Sequence, residues 1–232
     1  EAGKVKAVKV FRDGIEEEIP CSHVLTSNPI TEATLSLYPE PPANILASVK
    51  ALRYRCHLSA NLLVDGDLLP DNWIYVHAKE VVLGRIANYA NFSPEMRSPE
   101  GYVPLTVEYF QFPDDKLYGN PDDEQVLCFA QDELKSMNLL SPNQVKGGFV
   151  VRSPQAYPVL DLEYAPHLAA IRSHMQSIDN LQPIGRCGMF KYNNQDHSVA
   201  TGLLAARNIL GQRNDVWAIN IDAEYHESGK AN

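Results

Sequence analysis

The sequence predicts an α+β (mixed α/β) protein: a largely antiparallel sheet with covering helices, followed by a separate C-terminal strand and helix. Three observations predict it. Residues 54–64 alternate with period two, three further strand-like runs follow amid turn-rich stretches, and apolar residues at helical spacing recur around residues 126, 171 and 203.

Residues 4–11 alternate apolar and polar, Asp13-Gly14 supplies a turn, and an acidic stretch runs to Pro20. This reads as a hairpin, with a short buried strand over 21–27 after it. Pro29 ends that strand, a short helix covers 31–37, and Pro39, Pro41 and Pro42 precede a second helix in which Ile45, Leu46, Val49 and Leu52 share a face.

From residue 54 to 64, Tyr54, Cys56, Leu58, Ala60, Leu62 and Val64 point one way, while Arg53, Arg55, His57, Ser59 and Asn61 point the other. The second face is basic and hydrogen-bonding, so it either meets solvent or lines a polar cavity. Further strands are expected over 73–77, 85–91 and 103–112. Asn120 reads as a helix cap, Pro121 as the first helical residue, and the acids at 122–124 face the positive end of the helix dipole. Val126, Ala130, Leu134 and Met137 form the buried stripe of that helix. Gly147-Gly148 reads as a turn before a strand over 149–152 and a Pro-rich stretch over 153–158. A helix beginning near Pro166 puts Leu168, Ile171, Met175 and Ile178 on one side. The chain then reads as a strand over 181–186, a polar loop over 187–195, and a helix from Asp196 carrying Ala200, Leu203, Leu204, Arg207 and Leu210.

At 232 residues the chain can bury one large core or two smaller ones. A net charge of −9 argues against a general nucleic-acid binder, whose affinity rests on many Lys and Arg contacts to phosphates. Cys21, Cys56, Cys128 and Cys187 are far apart and form no CxxC pair, so neither a zinc knuckle nor a disulfide scaffold is indicated and a reducing cytoplasm fits. No apolar run approaches the roughly 18 residues of a membrane span, and no membrane partner is expected. The chain opens at Glu1 without Met and runs at once into a strand, as an excised fragment would.

A helix N-terminus exposes unsatisfied N–H groups and about half a positive charge. Gly185, Arg186 and a polar loop ahead of the helix near Asp196 therefore bring room, charge and donors to one place. An ordinary capped helix, with Asp196 as the cap and Arg186 paired to a carboxylate, gives the same spacing. Asp196-His197-Ser198 does not read as a hydrolytic triad, because consecutive residues at a helix start project about 100° apart. His23, His57, His77, His167, His174 and His226 lack metal-ligand spacing, so no metal is expected.

The run from Gly185 to Ser198, GRCGMFKYNNQDHS, continued by Thr201-Gly202-Leu203-Leu204-Ala205-Ala206-Arg207-Asn208, resembles the C-terminal flavin-contact motif of UDP-galactopyranose-mutase-like FAD proteins. The wider group is that of bacterial-type FAD-dependent oxidoreductases that includes flavin amine oxidases. Residues 24–29, 71–77, 84–88, 157–162, 215–217 and 224–227 are similar to the same group, so the resemblance spans nearly the whole chain. It implies FAD as cofactor, with Gly185 and Arg186 beside the cofactor chain and Asn194, Gln195, Asp196, His197 and Ser198 near the flavin. It also implies a remnant of the FAD-binding domain over 1–29, a substrate domain over 30–180, and an FAD-contacting strand-loop-helix with a tail over 181–232.

The GxGxxG fingerprint of such proteins is absent, so the expected partner is a missing N-terminal FAD-binding part of the same protein. Asn193-Asn194-Gln195-Asp196 also departs from the aromatic-rich, Asp-Met-type sequence of true mutases. The implied function is that of an amine-oxidase-like oxidoreductase acting on a small molecule, an amine or a sugar nucleotide. A sugar-nucleotide mutase and a non-catalytic binding or scaffold domain are the alternatives. Arg85, Asn88, Arg152 and Tyr157 are the candidate substrate residues. Because strands alternate faces, either Arg85 or Asn88 lines a pocket, and each arginine could instead pair with one of the 29 acids. Trp73, Tyr75 and Phe92 read as core.

Overall fold

Asp13 and Gly14, at φ 52° and 78°, close a two-residue turn between β1 (Ala7–Arg12) and β2 (Ile15–Pro20), the left-handed geometry that matches strand twist. The computed structural model describes residues 3–119 and 121–220, and among them the architecture is α+β. It forms two compact units, one from the chain up to Arg53 together with the chain from Pro158 on, the other Tyr54–Tyr157.

In the first unit β3 (Val24–Thr26) is followed by α1 (Ile30–Leu35) and α2 (Ala43–Ala51). The stripe expected in α2 is the buried one at Ile45 and Val49, continued by Leu52 just past its end. The strand expected to be buried, β3, is half exposed instead, because it belongs to a sheet of only two strands.

The second unit holds a five-stranded sheet. Its strands are β4 (Tyr54–Val64), β5 (Trp73–Tyr75), β6 (Arg85–Asn88), β7 (Val103–Gln111) and β8 (Val145–Pro158), in the order β5-β6-β7-β4-β8. The β5–β6, β6–β7 and β7–β4 pairs are antiparallel. One helical turn, α3 (Lys116–Gly119), precedes α4 (Asp123–Ser136). Leu58, Ala60, Leu62, Val64, Ile86, Leu105, Val107 and Tyr109 form one core with Val126, Ala130 and Leu134 of α4. Each large aliphatic side chain there contributes about 1.5–3 kcal/mol by leaving water. Tyr109 Oη donates to Glu133 Oε2 at 2.9 Å, satisfying both groups inside that core.

Three local expectations change in this unit. The cap of α4 is Asp122, whose Oδ1 accepts from Gln125 N at 2.8 Å, so Pro121 stands outside the helix. Asn120, expected as that cap, lies outside the described residues. Gly147-Gly148 is no turn but part of β8. A Cβ on Gly148 would stand 2.7 Å from the Asn61 carbonyl oxygen, so glycine is there to let backbone approach backbone. Third, β6 stops at Asn88, because its side-chain Oδ1 accepts from Ala90 N at 3.2 Å and turns the chain into a 3-10 turn, Tyr89–Asn91.

The first unit resumes with α5 (Tyr164–Gln176), β9 (Leu181–Pro183), α6 (Gly185–Met189) and α7 (Gln195–Ile209). The α5 helix buries Ile171 and Met175 and packs on α2, and β9 pairs parallel with β3. The helical turn α6 stands where the end of the strand over 181–186 and the start of the loop over 187–195 were expected. It fits because Gly188 lies against the chain after β3: a Cβ there would be 2.7 Å from the Thr26 carbonyl oxygen. The cap of α7 is Asn194, not Asp196, and its buried face is Thr201 and Ala205. Leu203 and Leu210 are 55 % and 84 % exposed, because this helix turns its small side chains to its neighbours.

Among the described residues, no helix is long and apolar enough to cross a membrane, and all four cysteines are free. Residues 224–227, part of the sequence resemblance, and His226 among them, lie outside the described residues.

Candidate functional site

Two polar arrangements stand out, one in each unit. In the first unit, the Ile184 amide donates to Thr26 O at 2.9 Å and fixes where the chain leaves β9. Gly185 follows at φ 75°, and a Cβ there would meet nothing within 4 Å, so space opens beside it. Its amide donates to Thr201 Oγ1 at 2.9 Å, and that hydroxyl donates to Ser198 O at 2.6 Å. Asn193, only 1 % exposed, donates from Nδ2 to Gly185 O at 3.3 Å. Arg186 Nε donates to Asn193 O at 2.6 Å, and its guanidinium lies 5.0 Å from the centre of the Tyr192 ring. Gly185 and Arg186 are thereby tied to the start of α7.

At that start the Asn194 amide donates to His197 Nδ1 at 3.2 Å, which makes this nitrogen the unprotonated one, and Ser198 N closes the first turn on Asn194 O at 3.0 Å. The amides of Gln195 and Asp196 have no partner among the described residues, and both residues are exposed. The helix start therefore opens outward and is not packed under apolar side chains. A second layer steadies the loop. Lys191 Nζ donates to Trp217 O at 3.0 Å and to Ile219 O, and Asn220 Nδ2 donates to Asn193 Oδ1 and Tyr192 O, each at 3.1 Å. Burial, then the nearby Arg172 charge, pulls the Lys191 ammonium below its usual pKa. Sequence reasoning singled out none of Lys191, Asn193, Thr201 or Asn220 for these roles. Thr201, a lone hydroxyl on the small-residue face of α7, was the one readable signal.

In the second unit, the sheet face opposite the core carries the polar side chains of β4. The ladder puts His57 beside Phe110, Ser59 beside Glu108, and Arg85 beside both Glu108 and Tyr75. Glu108 is the hub: Oε2 accepts from Arg85 Nη2 and lies 2.8 Å from His57 Nε2. Burial opposes its ionisation, but the hydrogen bonds from His57 and Arg85 and the Arg85 charge outweigh it and hold the carboxyl below the ordinary range. Burial likewise works against charge on Arg85, and Glu108 reverses that, so its pKa rises and the guanidinium stays charged. Arg85 lies 5.7 Å from the centres of both the Tyr75 and Phe110 rings, and Tyr157 lies edge-on to Phe110 at 5.5 Å.

Of the four candidate substrate residues, Arg85 and Tyr157 thus meet around one cluster. Asn88 is fully buried on the core side, where its Nδ2 donates to Leu69 O at 3.1 Å. Arg152 is bonded to Asp123 and to Pro121 O, tying β8 to the head of α4. Tyr75 and Trp73, expected in the core, are 58 % and 49 % exposed, and Phe92 is 46 % exposed. The short β5 leaves these rings outside the packed layer. Glu108 and Phe110 were missed; a single acid in the apolar run Val103–Gln111 was the signal that could have found the hub.

No family model matches this sequence, and no curated protein matches it. Solved structures do. A reduced UDP-galactopyranose mutase is similar over 95 % of this chain and 49 % of its own, at 18 % identity and TM-score 0.77. A protein described as a protoporphyrinogen oxidase from Exiguobacterium sp. 255-15 is similar over 89 % of this chain and 45 % of its own, at 13 % identity and TM-score 0.64. An oxidoreductase from Methanosarcina mazei covers 91 % of this chain and 49 % of its own, at 13 % identity and TM-score 0.55. The fold is shared with these enzymes. The chain spans about half the length of each.

Proposed function

We propose that this chain is the substrate- and flavin-contacting portion of an FAD-dependent, amine-oxidase-like oxidoreductase. The observation that carries the reading is the open head of α7, where two amides have no partner among the described residues, together with the free space at Gly185, which is tied to the same helix through Thr201. Such a donor set suits the electron-rich oxygens of a flavin or its pyrophosphate, and the sequence of this segment resembles the flavin-contact motif. The shared fold with a mutase and two proteins described as oxidase and oxidoreductase supports it.

When bound, the flavin supplies the two-electron chemistry. The chain supplies orientation: Gly185, Arg186 and residues 194–198 along the cofactor, and the Arg85–Tyr157 face for a small-molecule substrate, an amine or a sugar nucleotide. A GxGxxG module, the N-terminal FAD-binding part of the same protein, is the partner this reading requires. Four free cysteines suit a reducing cytoplasm.

The test is FAD occupancy of the protein as its gene encodes it, read from flavin absorbance. FAD should co-purify; Arg186→Ala should raise its dissociation constant about 10-fold, the effect of one charge-assisted hydrogen bond, and Gly185→Val, which fills the open space and puts a β-branched residue at φ 75°, should raise it at least as much. Unchanged affinity in both variants overturns the placement, and failure of the wild type to bind FAD points to a non-catalytic binding or scaffold domain. A sugar-nucleotide mutase is the second reading, favoured by the likeness at TM-score 0.77. Ring contraction of UDP-galactopyranose on adding reduced FAD would select it over the oxidase.

A further inference from the structure

We infer that His57 is a proton-accepting catalytic residue on the outer face of the five-stranded sheet, with Nδ1 as its working atom and Glu108 and Arg85 as its positioning residues. The inference deepens the substrate-face part of the proposed function and is independent of where FAD sits.

An ionised carboxylate only accepts hydrogen bonds, so the hydrogen shared at 2.8 Å between His57 Nε2 and Glu108 Oε2 belongs to the imidazole. With Nε2 protonated, the neutral ring leaves a lone pair on Nδ1. That nitrogen has no hydrogen-bond partner among the described residues, and the side chain keeps 21 % of its surface exposed. The ring cannot easily turn away, since Phe110 lies 5.7 Å and Tyr157 6.3 Å from it, centre to centre. Nor can the carboxylate swing, because Arg85 holds the same oxygen and the side chain is 7 % exposed. One nitrogen fixed on a buried carboxylate and the other bare is how a carboxylate orients a histidine and stabilises its imidazolium.

The step moves one proton. A hydroxyl or ammonium X–H bond of the substrate breaks, its electron pair stays on X, and an Nδ1–H bond forms. The imidazolium charge is offset by Glu108, and the proton is then passed to water, the side chain being partly exposed. Nothing is oxidised or reduced at His57. The charged and titratable groups that face this cluster from its own sheet are Glu108 of β7, Arg85 of β6, Arg55 of β4, Tyr75 of β5 and Tyr157 of β8.

Long-range 1H–15N spectra of the histidine-labelled 232-residue chain test the inference directly. His57 should show its proton on Nε2 and a bare Nδ1, and Glu108→Ala, which removes the acceptor, should mix the two tautomers. A proton resident on Nδ1, or an unchanged single tautomer in Glu108→Ala, overturns it. With whichever amine or sugar nucleotide reduces or turns over the flavin-loaded protein, His57→Gln should lower kcat about 100-fold or more. FAD occupancy should stay the same. A kcat within 2-fold of wild type overturns the catalytic role. Failure of FAD to bind at all leaves the tautomer experiment to decide, so the two readings fail separately.

Discussion

The His57–Glu108–Arg85 cluster and the Gly185–Ser198 segment reach order by opposite routes. The cluster is made of side chains drawn from β4, β6 and β7, and it exists because a ladder register sets Arg85 and Ser59 opposite the same Glu108. The segment is made mostly of backbone groups from one stretch of chain, tied by Thr201, Asn193 and the residues around 217–220. The difference teaches where each is vulnerable. A site built from side chains fails when a charge is left without its partner, whereas a site built from backbone fails when a Cβ intrudes.

Gly188→Val is the sharpest break on the backbone side. A Cβ 2.7 Å from the Thr26 carbonyl oxygen forces α6 away from the chain after β3. The expected cost is about 3 kcal/mol by urea unfolding, with the tautomer of His57 unchanged. Should the histidine spectrum change as well, the two sites are not built independently.

Glu108→Ala attacks the other side. Losing one member of a buried pair costs about 3–5 kcal/mol, and the partial exposure of Arg85 brings the expected loss to about 2 kcal/mol. The pH dependence has a definite sign. Because the folded-state pKa of Glu108 is lowered, its contribution is present above the unfolded value of about 4.3 and is lost as pH falls through the folded one. Denaturation midpoints taken from pH 6 down to acid should therefore fall less steeply in Glu108→Gln than in wild type. Equal slopes would mean the hub is not ionised.

Arg152→Ala should be the mildest change. Its pair with Asp123 is partly exposed, so about 0.5 kcal/mol is expected, with no effect on substrate or FAD. A larger catalytic effect would return Arg152 to the substrate face and blur the contrast.

Periodicity and turn chemistry made much of the fold readable. The Asp13-Gly14 turn, the strand Tyr54–Val64 and the buried stripe of α4 follow from short-range rules that tertiary packing only confirmed. The helix from residue 195 was legible for the same reason, whereas the helical turn Gly185–Met189 before it was not. Elsewhere long-range contacts overrode the short-range reading. Gly147-Gly148 reads as a turn, but both lie in β8, where Gly148 lets the backbone approach the Asn61 carbonyl. The helix head, read as capped by Asp196, is capped by Asn194, whose amide donates to the His197 ring.

By itself, then, the sequence determined the class, most elements and the stretch with spare amides, because those depend on residues within a few positions of one another. Only the tertiary structure decided that His57, Arg85 and Glu108 meet while Asn88 and Arg152 turn elsewhere. The reason is physical: strand register is a long-range choice, and a shift of one residue would send every one of those side chains to the opposite face.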